Sequence, residues 1–133
     1  MQQIDQVHHD GLGLNDRITV WADERDPNNG GASHRYTANI DTGKADDKGA
    51  GIHLEVLDIQ FQHGPRNVDG STSGVTEAAV LAVLIDRMRG FQAGPFACRE
   101  NALALTHLED ALHWVQHRAR ERARRGVLGT NQK

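Results

Sequence analysis

Arginine side chains near the end of the chain have the type and spacing that suit binding of an anion. The segment from His117 to Lys133 holds five arginines, one lysine and one glutamate, a net charge of +5, whereas the whole chain carries −3. A planar guanidinium donates two parallel hydrogen bonds to a phosphate, which an ammonium group does not. Residues four apart share one helix face, which gives two opposed pairs: Arg118 with Arg122, and Arg120 with Arg124. We interpret one pair as facing a ligand; the alternative is a solvated helix end whose cations offset the helix dipole.

Aromatic and amide side chains precede this segment and suit contact with a nucleotide base. Phe91 and Phe96 flank a glycine- and proline-containing stretch, in which residues 91–94 are predicted to be a loop between two helices. At least one phenylalanine is expected to cap the hydrophobic core of this hairpin, and the other is suited to stacking on a base. Asn101 is a candidate for hydrogen bonding to a base edge or a ribose hydroxyl, or is simply an exposed polar residue.

The length of a helix limits how these candidates can cooperate. Asn101 and Arg118 are seventeen positions apart on one predicted helix, a distance of about 25 Å at ~1.5 Å per residue. Side chains that far apart cannot hold one small ligand within a single chain. Antiparallel pairing of two copies would bring Phe91 and Asn101 of one protomer toward Arg118 and Arg122 of the other. If these residues act together, the ligand therefore binds between subunits.

The histidines and the glycine-rich stretches match no catalytic or metal-binding motif. His113 and His117 have the i, i+4 spacing of a metal site, but Trp114 stands where a metalloprotease helix carries its glutamate. His8 and His9 lie in a polar stretch and would bind metal only adventitiously. The sequence also lacks a nucleophile elbow, a phosphate-binding P-loop and a dinucleotide fingerprint. It therefore predicts a protein without catalytic residues, metal or cofactor.

Size and composition favour one soluble domain over residues 1–133. A chain of 133 residues with 38% hydrophobic content supports one modest core. Cys98 is the only cysteine, which excludes an intrachain disulfide and fits a reducing cytoplasm. The longest apolar run, residues 78–85, is too short to span a bilayer, and no signal peptide is evident. The acidic net charge argues against coating of nucleic acid, which usually requires a basic domain.

The N-terminal half predicts a flexible arm followed by antiparallel strands. Residues 1–16 are polar and show no hydrophobic period, and residues 17–68 form the predicted β region. Apolar residues of the third strand alternate up to Val56 and resume one step out of phase from Leu57, which predicts a bulge there. Polar, glycine-bearing segments join the strands, the second of them at 41–51. The predicted strands are 17–22, 34–40 and 52–61.

The C-terminal half changes to a helical period and predicts a two-helix hairpin over residues 75–126. Thr76 is a candidate N-cap of the first helix, and Gly90 is its candidate stop. Pro95 suits the first position of the second helix, which Gly126 ends. The fold class is therefore α+β, a small antiparallel sheet followed by a helical hairpin that oligomerises, because its apolar surface exceeds what a small sheet can cover. The predicted buried faces are Val80, Leu81, Leu84 and Met88 in the first helix and Leu105, Leu108, Leu112 and Val115 in the second.

Two long motifs in this half are similar to those of a known family. The sequence FQAGPFACRENALALTHLEDALHWVQHRARERARRGVLGT, preceded by IHLEVLDIQFQHGPRNVDGSTSGVTEAAVLAVLIDRM, resembles the phage Thoeris anti-defence sponge proteins, which share a helical hairpin domain with the phage anti-CBASS sponge. The resemblance covers residues 52–130. Its motifs, FQxGPFACRENALALTxLExALxW and RxRxRxxxGVxGT, are long and specific.

The resemblance implies a non-enzymatic protein that binds and holds a cyclic immune signal in the cytoplasm of the host bacterium. For the Thoeris type the implied ligand is glyco-cyclic ADP-ribose, held between two protomers. The family also includes hexamers that hold cyclic oligonucleotides at separate sites, so both a dimer and a hexamer stay open. Carried over by position, the implied ligand contacts are Phe91 for base stacking, Asn101 for polar contacts, Arg118 and Arg122 for phosphates, and Arg66 and Arg35 as further candidates.

Other functions stay open beside this one. The first alternative is a sponge for the cyclic di- or trinucleotides of CBASS signalling. The second is a DNA-binding regulator, although a helix-turn-helix reads bases mainly from the start of its second helix, whereas these arginines lie at the end. A hydrolase that processes the ligand would need catalytic residues that the sequence lacks. The predicted partners are a small cyclic nucleotide and further copies of the chain, with neither nucleic acid nor membrane.

Overall fold

The computed structural model describes residues 1–4, 11–66 and 68–133. These residues form two compact units, Met1–His63 and Gly64–Lys133; that the whole chain is one domain stays a prediction. Of the predicted N-terminal arm, residues 5–10 lie outside the described residues, and His8 and His9 are among them. No helix within the described ranges has the length and apolar character needed to cross a membrane.

The first unit contains an antiparallel sheet, as the sequence predicted. In the described part of the chain, its strands are β1 (Gln2–Gln3), β2 (Ile18–Ala22), β3 (Arg35–Ala45) and β4 (Gly51–Gln60). They lie in the order β1-β2-β3-β4, so each strand pairs with its neighbour in sequence. Strand β1 was not predicted, because its two glutamines show no hydrophobic alternation; backbone pairing with Ala22 and Trp21 holds it at the edge of the sheet.

The loop predicted at residues 41–51 is wrong over its first half. Strand β3 continues to Ala45, and the turn to β4 occupies only residues 46–50. Asp46 organises this turn, since its Oδ1 accepts hydrogen bonds from the backbone N–H groups of Lys48 and Ala50, each at 2.9 Å. The sequence did not predict the end of β3, because this end of the sheet is solvent-exposed and its polar side chains show no hydrophobic period.

The bulge predicted at Val56 and Leu57 is confirmed. Leu57 lies opposite Ala38, whereas Glu55 lies opposite Asn39, so Val56 is the extra residue of β4. An extra residue reverses the alternation of side chains beyond it. The apolar residues on both sides of the bulge therefore lie on one face of the sheet, in the pairs Ile40 with Leu54, Ala38 with Leu57, and Tyr36 with Ile59.

The second unit contains a helical hairpin whose first helix, α1, spans Glu77–Gln92. Thr76 is its N-cap as predicted, with the side-chain oxygen accepting from the backbone N–H of Ala79 at 3.3 Å. The predicted stop at Gly90 is wrong, because the helix runs two residues further and ends at the C-cap Ala93. Continuing the helix positions Gln92 Oε1 to accept from the backbone N–H of Cys98 at 3.1 Å, which closes the turn between the helices.

The second helix, α2, spans Arg99–Arg124. Its predicted start at Pro95 is wrong, since Cys98 is the N-cap and Pro95 lies in the turn. Its predicted end is confirmed. Gly126 has a φ of 75°, in the left-handed region, and its N–H donates to the carbonyl of Ala123 while Val127 N–H donates to that of Arg122. This pair of bonds is a Schellman motif, which satisfies the last carbonyls of the helix.

Packing between the helices is confirmed in α2 and corrected in α1. The predicted stripe of α2, from Leu105 to Val115, is half-buried throughout. In α1 the predicted residues Val80, Leu81 and Met88 are half-buried. The prediction for Leu84 is wrong, since it is 43% exposed, and the buried residue is its neighbour Ile85, 4% exposed. Large apolar side chains also stay exposed on both helices, among them Val83, Leu103 and Trp114.

Candidate functional site

A cleft in the second unit lies between the start of α1 and the last third of α2. Its volume is about 410 Å³, within the range of small-molecule pockets. Arg118 and Arg122 both line it, so the prediction that they share one helix face is confirmed. The lining residues are Thr76, Glu77, Ala78, Val115, Gln116, Arg118, Ala119, Arg122 and Leu128.

The two arginines differ in their surroundings. Arg118 is exposed to solvent. Arg122 is only 7% exposed and donates hydrogen bonds to backbone carbonyls of the segment that follows α2. Its Nη1 contacts Gln132 O at 2.5 Å, and its Nη2 contacts Val127 O at 3.1 Å and Thr130 O at 2.9 Å. Arg122 therefore holds the wall of the cleft in place, and its predicted contact with a phosphate stays a prediction.

The segment after α2 completes the cleft. The Schellman motif at Gly126 turns the chain back, and Thr130 Oγ1 donates to Val127 O at 2.5 Å. This turn carries Leu128 to the mouth of the cleft. Guanidinium bonds to several carbonyls and a side-chain bond within the turn give the segment a defined position on the helix, which is what a preorganised binding surface requires.

The charges around the cleft favour an anion. The N-terminus of α1 presents a partial positive charge and backbone N–H groups, and Arg118 adds a full charge on the facing helix. Glu77 opposes them with one carboxylate in the first turn of α1. An anionic group bound near Arg118 is therefore attracted by the arginines and the helix end and repelled by Glu77.

Phe91 and Asn101 lie at the other end of the hairpin. Phe91 is half-buried and makes an edge-to-face contact with Phe96, at a centroid distance of 6.2 Å. The guanidinium carbon of Arg87 lies 4.9 Å from the centroid of the Phe91 ring. Asn101 Nδ2 donates to Phe96 O at 3.4 Å. Phe96 itself is 70% exposed; that at least one of the phenylalanines caps the hydrophobic core of the hairpin stays a prediction.

The two groups of candidates lie toward opposite ends of the hairpin. Asn101 is in the first turn of α2 and Arg118 in its last third, about 25 Å apart at ~1.5 Å per residue. One chain therefore does not bring Phe91 and Asn101 together with the cleft arginines. A site that uses both groups needs two chains.

The remaining candidate arginines lie outside the cleft. Arg35, on β3, forms a bidentate ion pair with Asp58 on β4, with Nε–Oδ1 at 3.1 Å and Nη2–Oδ2 at 2.9 Å. This hydrogen-bonded pair lowers the pKa of Asp58 and raises that of Arg35. Arg66 is exposed, with Nη2 3.4 Å from Gly74 O. Neither is placed beside another candidate in its own unit, and their roles in binding stay predictions.

The opposed arginine pair faces away from the cleft. Arg124 forms an ion pair with Glu121, and Arg125 Nε lies 3.7 Å from the same carboxylate. Arg120 is exposed, and none of these residues lines the cleft. Substitutions of these arginines serve as controls, because they remove the same charge as substitutions of Arg118 or Arg122 but outside the cleft.

Sequence reasoning missed the lining residues outside the arginine pair. Val115 lies three positions before Arg118, and Ala119 lies three positions before Arg122, so helical spacing from the two arginines could have found both. Thr76 was identified as a cap and not as a wall of the cleft. Leu128 belongs to no hydrophobic period, because it lies in a turn. The position of that turn depends on hydrogen bonds from Arg122 to backbone carbonyls.

Comparison with known proteins decides the family of this hairpin. A protein-family model described as "Acb2/Tad1, hairpin domain" matches residues 53–120, just over half of the chain. The chain belongs to the Acb2/Tad1 hairpin domain family. It is also 45% identical over 75 residues to "Thoeris anti-defense 1" of Bacillus phage SBSphiJ7. That alignment covers 56% of this chain and 52% of the relative, so the chain spans about half the length of the curated relative it matches.

Proposed function

We propose that this protein is a phage anti-defence sponge that binds glyco-cyclic ADP-ribose without cleaving it. By holding this signal in the cytoplasm of the host bacterium, it would prevent activation of a Thoeris effector. The observation that carries the proposal is the cleft at which Arg118 and Arg122 share one wall beside a helix N-terminus. The hairpin family and the similarity to a protein named Thoeris anti-defense 1 support the same assignment.

The chemistry of the cleft suits a pyrophosphate. Arg118 lines the cleft, where its guanidinium would donate paired hydrogen bonds to phosphate oxygens, and the start of α1 would add a favourable dipole. Arg122 fixes the facing turn and adds its charge nearby. The nearby apolar walls, including Val115 and Leu128, exclude water from part of the ligand and so strengthen these interactions.

The base and sugar would be bound by a second copy of the chain. Phe91 offers an aromatic ring, and Asn101 offers an amide. Asn101 lies about 25 Å from Arg118 along α2 at ~1.5 Å per residue, and Phe91 lies at the same end of the hairpin as Asn101. An antiparallel arrangement of two hairpins places them beside the cleft of the partner. Exposed apolar side chains on both helices, such as Val83 and Trp114, supply surface for such an oligomer.

Calorimetric titration with glyco-cyclic ADP-ribose tests the proposal through Arg118. Charge-assisted hydrogen bonds contribute roughly 1.5–3 kcal/mol, so Arg118→Ala should weaken binding by about tenfold or more. The matched control is Arg120→Ala, which removes the same charge two residues away and outside the cleft. It should leave the dissociation constant within about threefold, because an exposed charge contributes little. Equal losses in the two variants would contradict a specific phosphate contact.

The same measurements separate the competing functions. Ligand released by heat denaturation should be recovered intact; product that accumulates in proportion to protein concentration would show an enzyme instead. Tighter binding of a cyclic di- or trinucleotide would favour the CBASS alternative. A gel shift with duplex DNA at moderate salt, abolished by Arg118→Ala, would favour the DNA-binding alternative.

A further inference from the structure

Asp26, His34 and His63 come together in the first unit. Each offers one potential ligand atom, and these atoms all lie within 4.8 Å of one another. Asp26 precedes a short 3-10 turn at Pro27–Asn29, His34 precedes β3, and His63 follows β4. The fold thus gathers three side chains that no sequence motif connects.

In this cluster, His34 has a buried ring nitrogen that a bound ligand could satisfy. Its side chain is 8% exposed, and its Nε2 is buried without a hydrogen-bond partner among the described residues. Buried polar atoms in proteins almost always have such a partner. The residue is held in place at its backbone, where His34 N–H donates to Asp23 Oδ1 at 2.8 Å. A bound ion at the cluster would satisfy this nitrogen.

His63 and Asp26 are already in contact next to it. The His63 ring stacks on that of His34, with centroids 4.2 Å apart and planes inclined by 15°. Its Nε2 lies 2.7 Å from Asp26 Oδ2. Hydrogen bonds from His63, Asn29 and the backbone N–H of Asn28 lower the pKa of Asp26 to about 2. As an ordinary aspartate is ionised at neutral pH, the carboxylate is in the form that binds a cation.

We propose that Asp26, His34 and His63 bind a divalent transition-metal ion, with Zn²⁺ as the preferred ion. Imidazole nitrogens favour zinc and its neighbours over magnesium or calcium. Two histidines and a carboxylate form a common ligand set for zinc, with the fourth position left to water. The sequence analysis predicted no metal, so this site is an addition to it.

The ligand atoms are close enough to share an ion, but the stacked rings of His34 and His63 must rotate for both nitrogen lone pairs to point at it. Ligand atoms about 2.0–2.1 Å from a tetrahedral ion lie about 3.3 Å from one another, between the 2.7 Å contact of His63 with Asp26 and the 4.8 Å limit of the cluster. Coordination would replace that contact, with the proton of His63 carried on Nδ1. The ion would then join the segment before β3 to the end of β4.

Titration of the metal-free chain tests this site. With ZnCl₂ in calorimetry, we expect one ion bound per chain and a higher melting temperature, because the ion binds only the folded arrangement. Co²⁺ should give the intense visible absorption of a tetrahedral site. His63→Gln keeps a donor toward Asp26 and removes the ligand, so it should weaken Zn²⁺ binding by at least about 100-fold, more than loss of an outer-shell partner.

Controls address the other histidines. His117→Gln disrupts the His113 and His117 pair, whose rings lie 6.4 Å apart, and His8→Gln with His9→Gln removes the histidine pair of the N-terminal stretch. Both controls should retain the one-to-one binding. The proposal is overturned if no stoichiometric binding occurs, if His63→Gln binds as tightly as the original chain, or if either control abolishes binding. If His63→Gln reduces the sheet signal in circular dichroism, Asp26→Asn, which keeps a capping oxygen, decides in its place.

Discussion

Arg118 and Arg122 lie one turn apart on the same face of α2 and differ in what their guanidinium groups contact. Arg118 is open to solvent at the wall of the cleft, whereas Arg122 is buried against the carbonyls of Val127, Thr130 and Gln132. A charged donor that satisfies several backbone acceptors contributes to stability. Loss of either arginine is therefore expected to weaken ligand binding, but by different routes.

Arg122→Ala should destabilise the hairpin unit by about 1.5–3 kcal/mol, because it removes a charged hydrogen-bond donor and leaves partly buried carbonyls without it. Chemical denaturation followed by helical circular dichroism measures this change. Arg118→Ala is the matched control, since it deletes the same side chain at an exposed position, and should change stability by less than about 0.5 kcal/mol. Equal stability of the two variants would show that the carbonyl contacts contribute little.

At the scale of elements, two glycines of the hairpin have opposite roles. Gly90 lies inside α1, and a Cβ added there would meet nothing within 4 Å. Gly126 also has open space around it, but its φ of 75° is one that side-chain-bearing residues rarely adopt. Sequence analysis treated both as helix stops. The structure separates them by backbone conformation alone.

Alanine substitution at these glycines should change stability in opposite directions. Gly90→Ala should stabilise the chain by about 0.5–1 kcal/mol, since alanine favours a helix interior over glycine. Gly126→Ala should destabilise it by about 1–2 kcal/mol, the cost of the left-handed conformation. Thermal and chemical unfolding of both variants measure these changes. A destabilised Gly90→Ala would mean that the helix ends where the sequence predicted.

The sequence predicted the features that neighbouring residues determine and missed those that depend on contacts between residues distant in sequence. The slip at Val56 and the caps Thr76 and Gly126 were predicted correctly, because local patterns determine bulges and helix ends. The turn between the helices was displaced, since the bond from Cys98 to Gln92 joins residues that no pattern relates. The cluster of Asp26 with its histidines was missed for the same reason: pairing of β3 with β4 brings it together.

At the scale of the whole molecule, the candidate ligand contacts require more than one chain. Asn101 and Arg118 occupy opposite ends of α2, and exposed apolar residues on both helices offer surface for association. Oligomerisation and the shared pocket are thus one prediction. A monomer at micromolar concentration in a sedimentation experiment would contradict both.

Mixing subunits tests the shared pocket directly. Asn101→Ala and Arg118→Ala should each bind the ligand poorly as pure oligomers. After the two are unfolded together and refolded as an equal mixture, about one quarter of the sites should be intact, because each takes Asn101 from one variant and Arg118 from the other. Calorimetry on the mixed oligomer measures this fraction. No recovery above the pure variants would show that the two residues do not act across an interface.

The bulge in β4 and the phase slip in its apolar residues have one cause, the extra residue Val56. Val56 is 55% exposed, so polar replacements there are expected to be tolerated. Deleting it would remove the bulge and the phase slip together, so a regular ladder would keep Ile52 and Leu54 on the same face as Leu57 and Ile59. In related chains, this position should therefore vary freely in residue type and its deletion should be tolerated, whereas pairing that keeps the residue without a bulge would turn the two apolar halves of β4 to opposite faces.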